Sequence, residues 1–307
     1  MDLAVLQWFE GIRTPFLDRL MSIITFAGSE VVAVGLICAA YWCLSRRLGN
    51  RMLLTMLSGL LINQLLKIIF VVRRPWVRYE GEFEPVEGSL EDAAGYSFPS
   101  GHTANAAAAY GGLAHGKSTK WYLKLLAWVL VALIGISRMY LGVHTPQDVL
   151  VSLVITVVLI FAMDRLAAWL EENPGRDVWV ILCVAVIGLA TLLTALLRKF
   201  PEGDTQETID ANTMDIFKMV GAIGGLAAGW LMERRLVKFE KPKKLLHGIV
   251  RLVCGLVIVL ALLKLTKSPL NSLLGEKAGG VVRYFITCFA ALFAWPWCFV
   301  KLEEKVK

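Results

Sequence analysis

Long apolar runs alternate with short charged connections along most of this chain. Nine such runs can be drawn, at residues 27–44, 52–71, 102–114, 121–140, 146–166, 178–197, 216–232, 249–265 and 284–300. Several hold 17 or more residues with few or no charges, about what a helix needs to cross a ~30 Å hydrocarbon core. The third is short and alanine-rich, and is kept because the charges on either side of it require a crossing there. In lipid a spanning segment must satisfy its backbone polar groups internally, which leaves a helix as the form for each run. The pattern predicts an all-α fold, a polytopic membrane helical bundle of about nine transmembrane helices. Residues 3–24 are instead amphipathic, carrying Glu10, Arg13, Asp18 and Arg19, and are expected to lie along the membrane interface.

Composition points the same way. Of 307 residues, 57% are hydrophobic and 19% charged, with a mean hydropathy of +0.62; soluble domains carry about 25% charged residues. An ordinary cytosolic protein, collagen, low-complexity disorder and a disulfide-stapled secreted fold are all excluded. The net charge of +7 would suggest nucleic acid in a soluble protein, but here it lies in connections between apolar runs, and no nucleic-acid partner is expected. The first connection holds Arg46, Arg47 and Arg51, the third Lys117, Lys120 and Lys124, and the seventh a basic stretch from Arg234 through Lys244 to Arg251. The second holds Glu80, Glu82, Glu84, Glu87, Glu91 and Asp92. By the positive-inside rule the odd-numbered connections are cytoplasmic, the N-terminus is outside and the C-terminus inside. The six cysteines lie in or at the ends of apolar runs without a CxxC pair and read as small hydrophobes. No removable signal peptide is evident, and a plasma (inner) membrane location is expected.

Three segments depart from the hydropathy pattern. Lys67 lies near the end of the second run, followed by Arg73-Arg74-Pro75; Ser97-Phe98-Pro99-Ser100-Gly101-His102 opens the third; Ser137-Arg138 and His144-Thr145-Pro146-Gln147-Asp148 separate the fourth and fifth. All three fall on one side of the membrane in a topology drawn from other charges. Lys67, Arg74 and Arg138 supply permanent cations, and the planar fork of arginine matches phosphate geometry. Ser100 is a plausible N-cap, Gly101 permits close backbone approach, and free N–H groups at that helix start favour an anion. Thr145 and Pro146 read as N-cap and first residue of the fifth helix. Asp148, four residues after His144, is in reach of one imidazole nitrogen, where a carboxylate fixes the tautomer and stabilises imidazolium. Two histidines, three cations and one carboxylate point to phosphoryl transfer, one histidine attacking phosphorus and the other protonating the leaving oxygen. With no second carboxylate cluster to hold Mg²⁺, neither a metal nor another cofactor is implied.

The pattern Lys67-x6-Arg74-Pro75, Pro99-Ser100-Gly101-His102 and Ser137-Arg138-x5-His144-x3-Asp148 resembles the tripartite signature of the type 2 phosphatidic acid phosphatase superfamily. The resemblance covers residues 59–153 and fills every signature position. It implies that His144 is the nucleophile that becomes phosphohistidine, that Asp148 supports it, and that His102 protonates the leaving group. It further implies that Lys67, Arg74, Ser100, Gly101 and Arg138 hold the phosphate, without a metal. The reading is an integral membrane phosphatase acting on a lipid phosphate or diphosphate within the bilayer, of the polyprenyl diphosphate or phosphatidate type. Its site is expected on the extracytoplasmic face, and no obligatory protein partner is expected. A phosphatase of soluble sugar phosphates and a lipid-to-lipid phosphotransferase are the alternatives. The domain reading is an interfacial segment at 1–26, a catalytic core at 27–172 and additional transmembrane helices at 173–307.

Other polar residues have plainer expected roles. His115 and His247 are read as structural, Arg73 and Arg78 as solvated, and the acidic residues of the second connection as a solvated loop. Gly221, Gly225 and Gly229 have the spacing of close helix packing within a bundle. Trp8, Trp42, Trp76, Trp121, Trp295 and Trp297 are read as interfacial anchors.

Overall fold

The computed structural model describes residues 2–90, 93–116, 119–173 and 175–305; Glu91, Asp92 and Lys117, used in the charge reading, lie outside these. The described residues contain helices and connections, without a strand. In chain order the α-helices are α1 (Asp2–Gly11), α2 (Pro15–Phe26), α3 (Glu30–Ala39), α4 (Arg46–Phe70), α5 (Pro75–Arg78), α6 (Gly101–Ala106), α7 (Gly112–Ala114), α8 (Trp121–Tyr140), α9 (Pro146–Glu172), α10 (Asp177–Leu197), α11 (Gln206–Met232), α12 (Leu245–Leu265), α13 (Lys267–Phe289) and α14 (Trp295–Lys305). Single π-helical turns continue α3, α6, α11 and α13.

Among the described residues seven helices are long and apolar enough to cross a membrane, and α2 with Glu30–Leu44, bent by 44°, makes an eighth if the pair is one crossing. By length and composition these account for up to eight of the nine expected runs. The stretch at 102–114 forms a helical run from Gly101 to Ala114, only ~21 Å long at 1.5 Å per residue. Its alanines at 104 and 106–109 are buried, and Ala106 and Ala107 pack with Val131 and Ile134 of α8. A helix enclosed by protein is not held to the length that lipid demands.

The chain divides into two compact units. Unit 1 comprises Met1–Leu36, Arg51–Arg165 and Leu197–Asn212; unit 2 comprises Ile37–Asn50, Leu166–Leu196 and Thr213–Lys307. In unit 1 the N-terminal segment forms two helices rather than one. Thr14 caps α2 by accepting from Leu17 N, with Pro15 in the first turn. Tyr140, at the end of α8, donates to Asp18 Oδ1 at 2.7 Å, and Phe9 meets its ring edge-on. Arg13 donates to the carbonyls of Tyr140 and Glu84, Gln7 donates to Glu82 O, and Glu10 accepts from Glu84 N. The N-terminal helices thereby hold the backbone of the acidic connection at the end of α8 that bears Arg138.

Unit 2 is built on close helix contact. A Cβ at Gly221 or Gly225 would run into the carbonyl oxygens of Val281 or Phe285, so α11 and α13 approach backbone to backbone, as the glycine spacing predicts. Buried Glu233 pairs with Arg46 at 3.2 Å, and buried Arg251 with Glu303 through two bonds of 2.8 and 2.7 Å. Trp42 and Trp295 are buried here and donate to Ala291 O and Arg251 O, unlike exposed Trp8, Trp121 and Trp297. Those two tryptophans are core residues rather than interfacial anchors. His247 lies 3.8 Å from Glu303 and, in unit 1, His115 lies 3.6 Å from Asp164, in keeping with structural roles.

Candidate active site

All eight candidate site residues lie in unit 1. Lys67 is buried in the last turn of α4, which breaks at Val71, a non-glycine residue with φ of +46°. The chain then runs extended to Arg74, and Pro75 opens α5. The Arg74 side chain turns inward. Its Nε donates to Gly95 O at 3.0 Å, Nη2 to Ala94 O at 2.9 Å and Nη1 to Val143 O at 3.0 Å. Nη1 also lies 3.0 Å from His144 Nε2. One guanidinium therefore ties the first segment to the other two, which five donors in a rigid fork can do and a lysine could not.

Ser100 caps the second segment. Its Oγ accepts from Thr103 N at 3.4 Å and from Thr103 Oγ1 at 3.0 Å. Its backbone N–H donates to Asp148 O at 3.1 Å, and its carbonyl accepts from Ser152 Oγ at 2.8 Å, so the cap is fixed to α9 on both sides. Gly101 borders open space, since a Cβ there would meet nothing within 4 Å. The half-buried His102 follows, and the charges of Arg138, Arg74 and Lys67 act on it.

In the third segment Arg138 is buried and donates from Nη1 to Thr25 Oγ1 at 2.9 Å. The turn to His144 passes Gly142, at φ +76°, where a Cβ would fall 2.9 Å from Phe83 Cε2 and 3.0 Å from Pro85 Cα. Both the dihedral and the contact require glycine. Thr145 Oγ1 accepts from Asp148 N at 3.4 Å while Asp148 Oδ2 accepts from Thr145 N at 2.8 Å, a reciprocal cap with an aspartate in the third position. The same Oδ2 lies 3.3 Å from His144 Nδ1.

The partners decide the imidazole tautomer. An arginine can only donate and a carboxylate can only accept, so Nε2 carries the lone pair and Nδ1 the proton. Burial, reinforced by the Arg74 guanidinium, pushes His144 down from its ordinary value to about 3, against the opposing pull of Asp148. The ring is neutral at physiological pH. The site thus offers an unprotonated nitrogen facing a guanidinium, a buried carboxylate behind it, and a second histidine in a strongly positive field.

Arg74, His144 and Asp148 are brought into direct contact, Ser100 is bonded to the Asp148 backbone, and Lys67 and Arg138 reach His102 through charge. Sequence reading missed Ser97. Fully buried, it donates to Asp148 Oδ2 at 2.6 Å and lies 3.5 Å from His144 Nδ1. Arg73, expected in solvent, instead pairs with Asp204 at 2.6 Å.

Residues 48–172 match the PAP2 superfamily, and residues 217–306 match the PAP2 superfamily phosphatase transmembrane extension. The chain belongs to the PAP2 superfamily and is a multi-pass membrane protein. Undecaprenyl-diphosphatase BcrC of Bacillus subtilis is 32% identical over 200 residues, covering 62% of this chain and 96% of that protein. Phosphatidylglycerophosphatase B of the same species is 32% identical over 163 residues, or 49% of this chain and 75% of the relative. Lipid phosphate phosphatase delta of Arabidopsis thaliana is 28% identical over 166 residues, 51% of this chain and 38% of that one. A solved transmembrane PAP2-type phosphatidylglycerolphosphate phosphatase from Bacillus subtilis shares 29% identity and a TM-score of 0.45, covering 57% of this chain and 86% of that chain.

Proposed function

We propose that this protein hydrolyses a phosphate or diphosphate ester carried on a lipid, through a phosphohistidine on His144. The observation that carries the reading is the line Arg74–His144–Asp148, with an imidazole lone pair aimed at a guanidinium and the ring's far side held by a carboxylate. His144 Nε2 attacks phosphorus, and the ester P–O bond breaks with its electron pair moving to the leaving oxygen, which takes a proton from His102. Water then attacks the phosphorus, giving one proton to His102, and the N–P bond breaks with its electron pair returning to Nε2. Lys67, Arg74 and Arg138, with the backbone beside Ser100 and Gly101, hold the transferring oxygens. In this reading three cations supply the charge that a metal supplies elsewhere, and the activity needs no metal.

A lipid substrate is favoured because the signature segments sit at the ends of apolar helices, where a tail stays in the bilayer and each buried methylene adds about 0.8 kcal/mol. The names of the two bacterial relatives support a polyprenyl diphosphate or glycerophospholipid headgroup. The proposed topology places this site on the extracytoplasmic face of the plasma membrane with the C-terminus inside, and residues 27–172 as the catalytic part. The N-terminal helices, the acidic connection and the end of α8 meet at one end of unit 1, which supports a shared side for them. The deciding measurement is kcat/KM for undecaprenyl diphosphate, phosphatidate and glucose 6-phosphate in one detergent, with and without EDTA. The two lipids are expected to lead and EDTA to change nothing; glucose 6-phosphate matching both lipids, or loss in EDTA restored by Mg²⁺, overturns the reading. In a variant cleared of native cysteines, an impermeant maleimide should label a cysteine at Glu84 in intact cells and spare one at Lys241. The reverse pattern inverts the topology.

A further inference from the structure

The connection between α10 and α11 does more than join two helices. Residues 198–205 lie across the backs of the first and second signature segments within unit 1. The Asp204 carboxylate, 1% exposed, takes Arg73 Nε at 2.6 Å on one oxygen and the Tyr96 hydroxyl at 2.8 Å on the other. Arg73 Nη2 donates to Glu202 O at 2.7 Å. Phe200 stacks on the Tyr96 ring at 6.2 Å. Arg198 donates to the carbonyls of Ile68 and Ile69. A buried carboxylate is costly unless its lone pairs are met, and here they are met by the two segments it joins.

Apart from the one to Ile69, each contact to these segments falls on the chain neighbour of a site residue. Ile68 follows Lys67, Arg73 precedes Arg74, and Tyr96 precedes Ser97. The two segments are also bonded directly, Ser97 N to Val72 O at 2.8 Å. Asp204 therefore holds the peptide units that launch the Arg74 guanidinium toward His144 and the Ser97 hydroxyl toward Asp148. The connection lies outside both stretches that match the family, at 48–172 and 217–306.

We propose that residues 198–205 are a positioning element for the phosphate site, with Asp204 as the positioning residue that acts through Arg73 and Tyr96 on Arg74 and Ser97. This rests on the phosphatase reading above. Asp204 does not touch the reacting atoms; its effect is on alignment, where a displacement near 1 Å can cost on the order of 100-fold in rate.

The test uses the full chain in detergent, with phosphatidate and undecaprenyl diphosphate as substrates and vanadate as inhibitor. Asp204→Asn keeps the shape and removes the charge. The expected result is a kcat roughly 10- to 100-fold lower, in the range seen for outer-shell partners, with the vanadate inhibition constant raised at least ~10-fold. A fraction of misfolded protein would lower kcat without moving that constant, so inhibition separates alignment from loss of fold. Tyr96→Phe should lower kcat by a smaller factor, and the double variant should fall within about twofold of Asp204→Asn, since residues in one network do not add. Should Asp204→Asn fail to fold, Tyr96→Phe carries the test alone. An unchanged vanadate constant, or multiplying effects in the double variant, overturns the proposal. His144→Ala runs in parallel. If it keeps activity the phosphohistidine reading falls, whereas a dead His144→Ala beside a fully active Asp204→Asn removes the positioning role alone.

Discussion

The two units bury polar groups for opposite ends. In unit 2 buried Glu233 and buried Arg251 each face an opposite charge, Arg46 and Glu303, and α11 and α13 close through glycines. In unit 1 the signature residues contribute three cations, Lys67, Arg74 and Arg138, and one carboxylate, Asp148, all buried. Gly101, in the second signature segment, borders open space. A balanced pair has its electrostatics completed by the fold. In the proposed reading, the open space beside Gly101 is where the phosphate would meet the signature residues. The two units should accordingly fail in different ways when altered.

The largest separation is expected at His144. His144→Ala should lower phosphate release per folded molecule by roughly 10⁴-fold or more, since loss of a nucleophile is of that order, with the folded yield little changed. Asp148→Asn should cost roughly 10²- to 10⁴-fold, because it spoils the tautomer and orientation rather than the bond-forming atom. Phosphate release from both variants, normalised to folded protein by size exclusion, checks the ranking; equal effects would deny the division of labour.

Unit 2 offers the converse. Gly225→Leu forces a side chain against the Phe285 backbone and should cost about 3 kcal/mol, a thermal midpoint lower by roughly 6–12 °C. Activity per surviving folded molecule should stay within about twofold. A thermal scan in detergent decides it, and an unchanged midpoint would break the contrast between the units.

The smallest effect is on pH dependence. The folded chain holds His144 at about 3, while the unfolded chain titrates it near 6.5. Between those values the unfolded state binds more protons, so this group's contribution makes stability fall as pH falls from about 6.5 toward about 3. His144→Gln has no such group and should lose less between pH 7 and pH 4, as read by the thermal midpoint.

The helices and the signature residues were legible because each leaves a periodic or spaced trace. Runs of 20 or so apolar residues mark α8 to α12, and Thr145-Pro146 marks the start of α9. The 101–114 helix defeats that logic, since length requirements follow from lipid contact and this helix is enclosed by protein. The two tryptophans at 42 and 295 mislead for a related reason: an apolar helix end looks the same in sequence whether it meets headgroups or another helix. Ser97 and Asp204 leave no trace at all. Their roles arise from contacts between residues 51 and 108 positions apart, Ser97 with Asp148 and Tyr96 with Asp204, and no local pattern encodes such pairs. Arg74 is marked by its place in the signature, whereas nothing in the sequence reveals that its neighbour Arg73 is held by Asp204.

The hydrogen bond from Arg74 Nη1 to His144 Nε2 bears on chemical selectivity at rest. An imidazole lone pair already accepting an N–H is a poor target for a neutral electrophile, which brings no charge to draw the guanidinium away. Under the proposed reading a phosphate ester would bring that charge, and an Arg74 donor drawn to a phosphate oxygen would uncover the nitrogen beside it. Arming and recognition then become a single event. Acylating reagents such as diethyl pyrocarbonate should find His102, next to the open space at Gly101, well before they find His144, and the chain gains protection from stray alkylation without a lid or a moving loop.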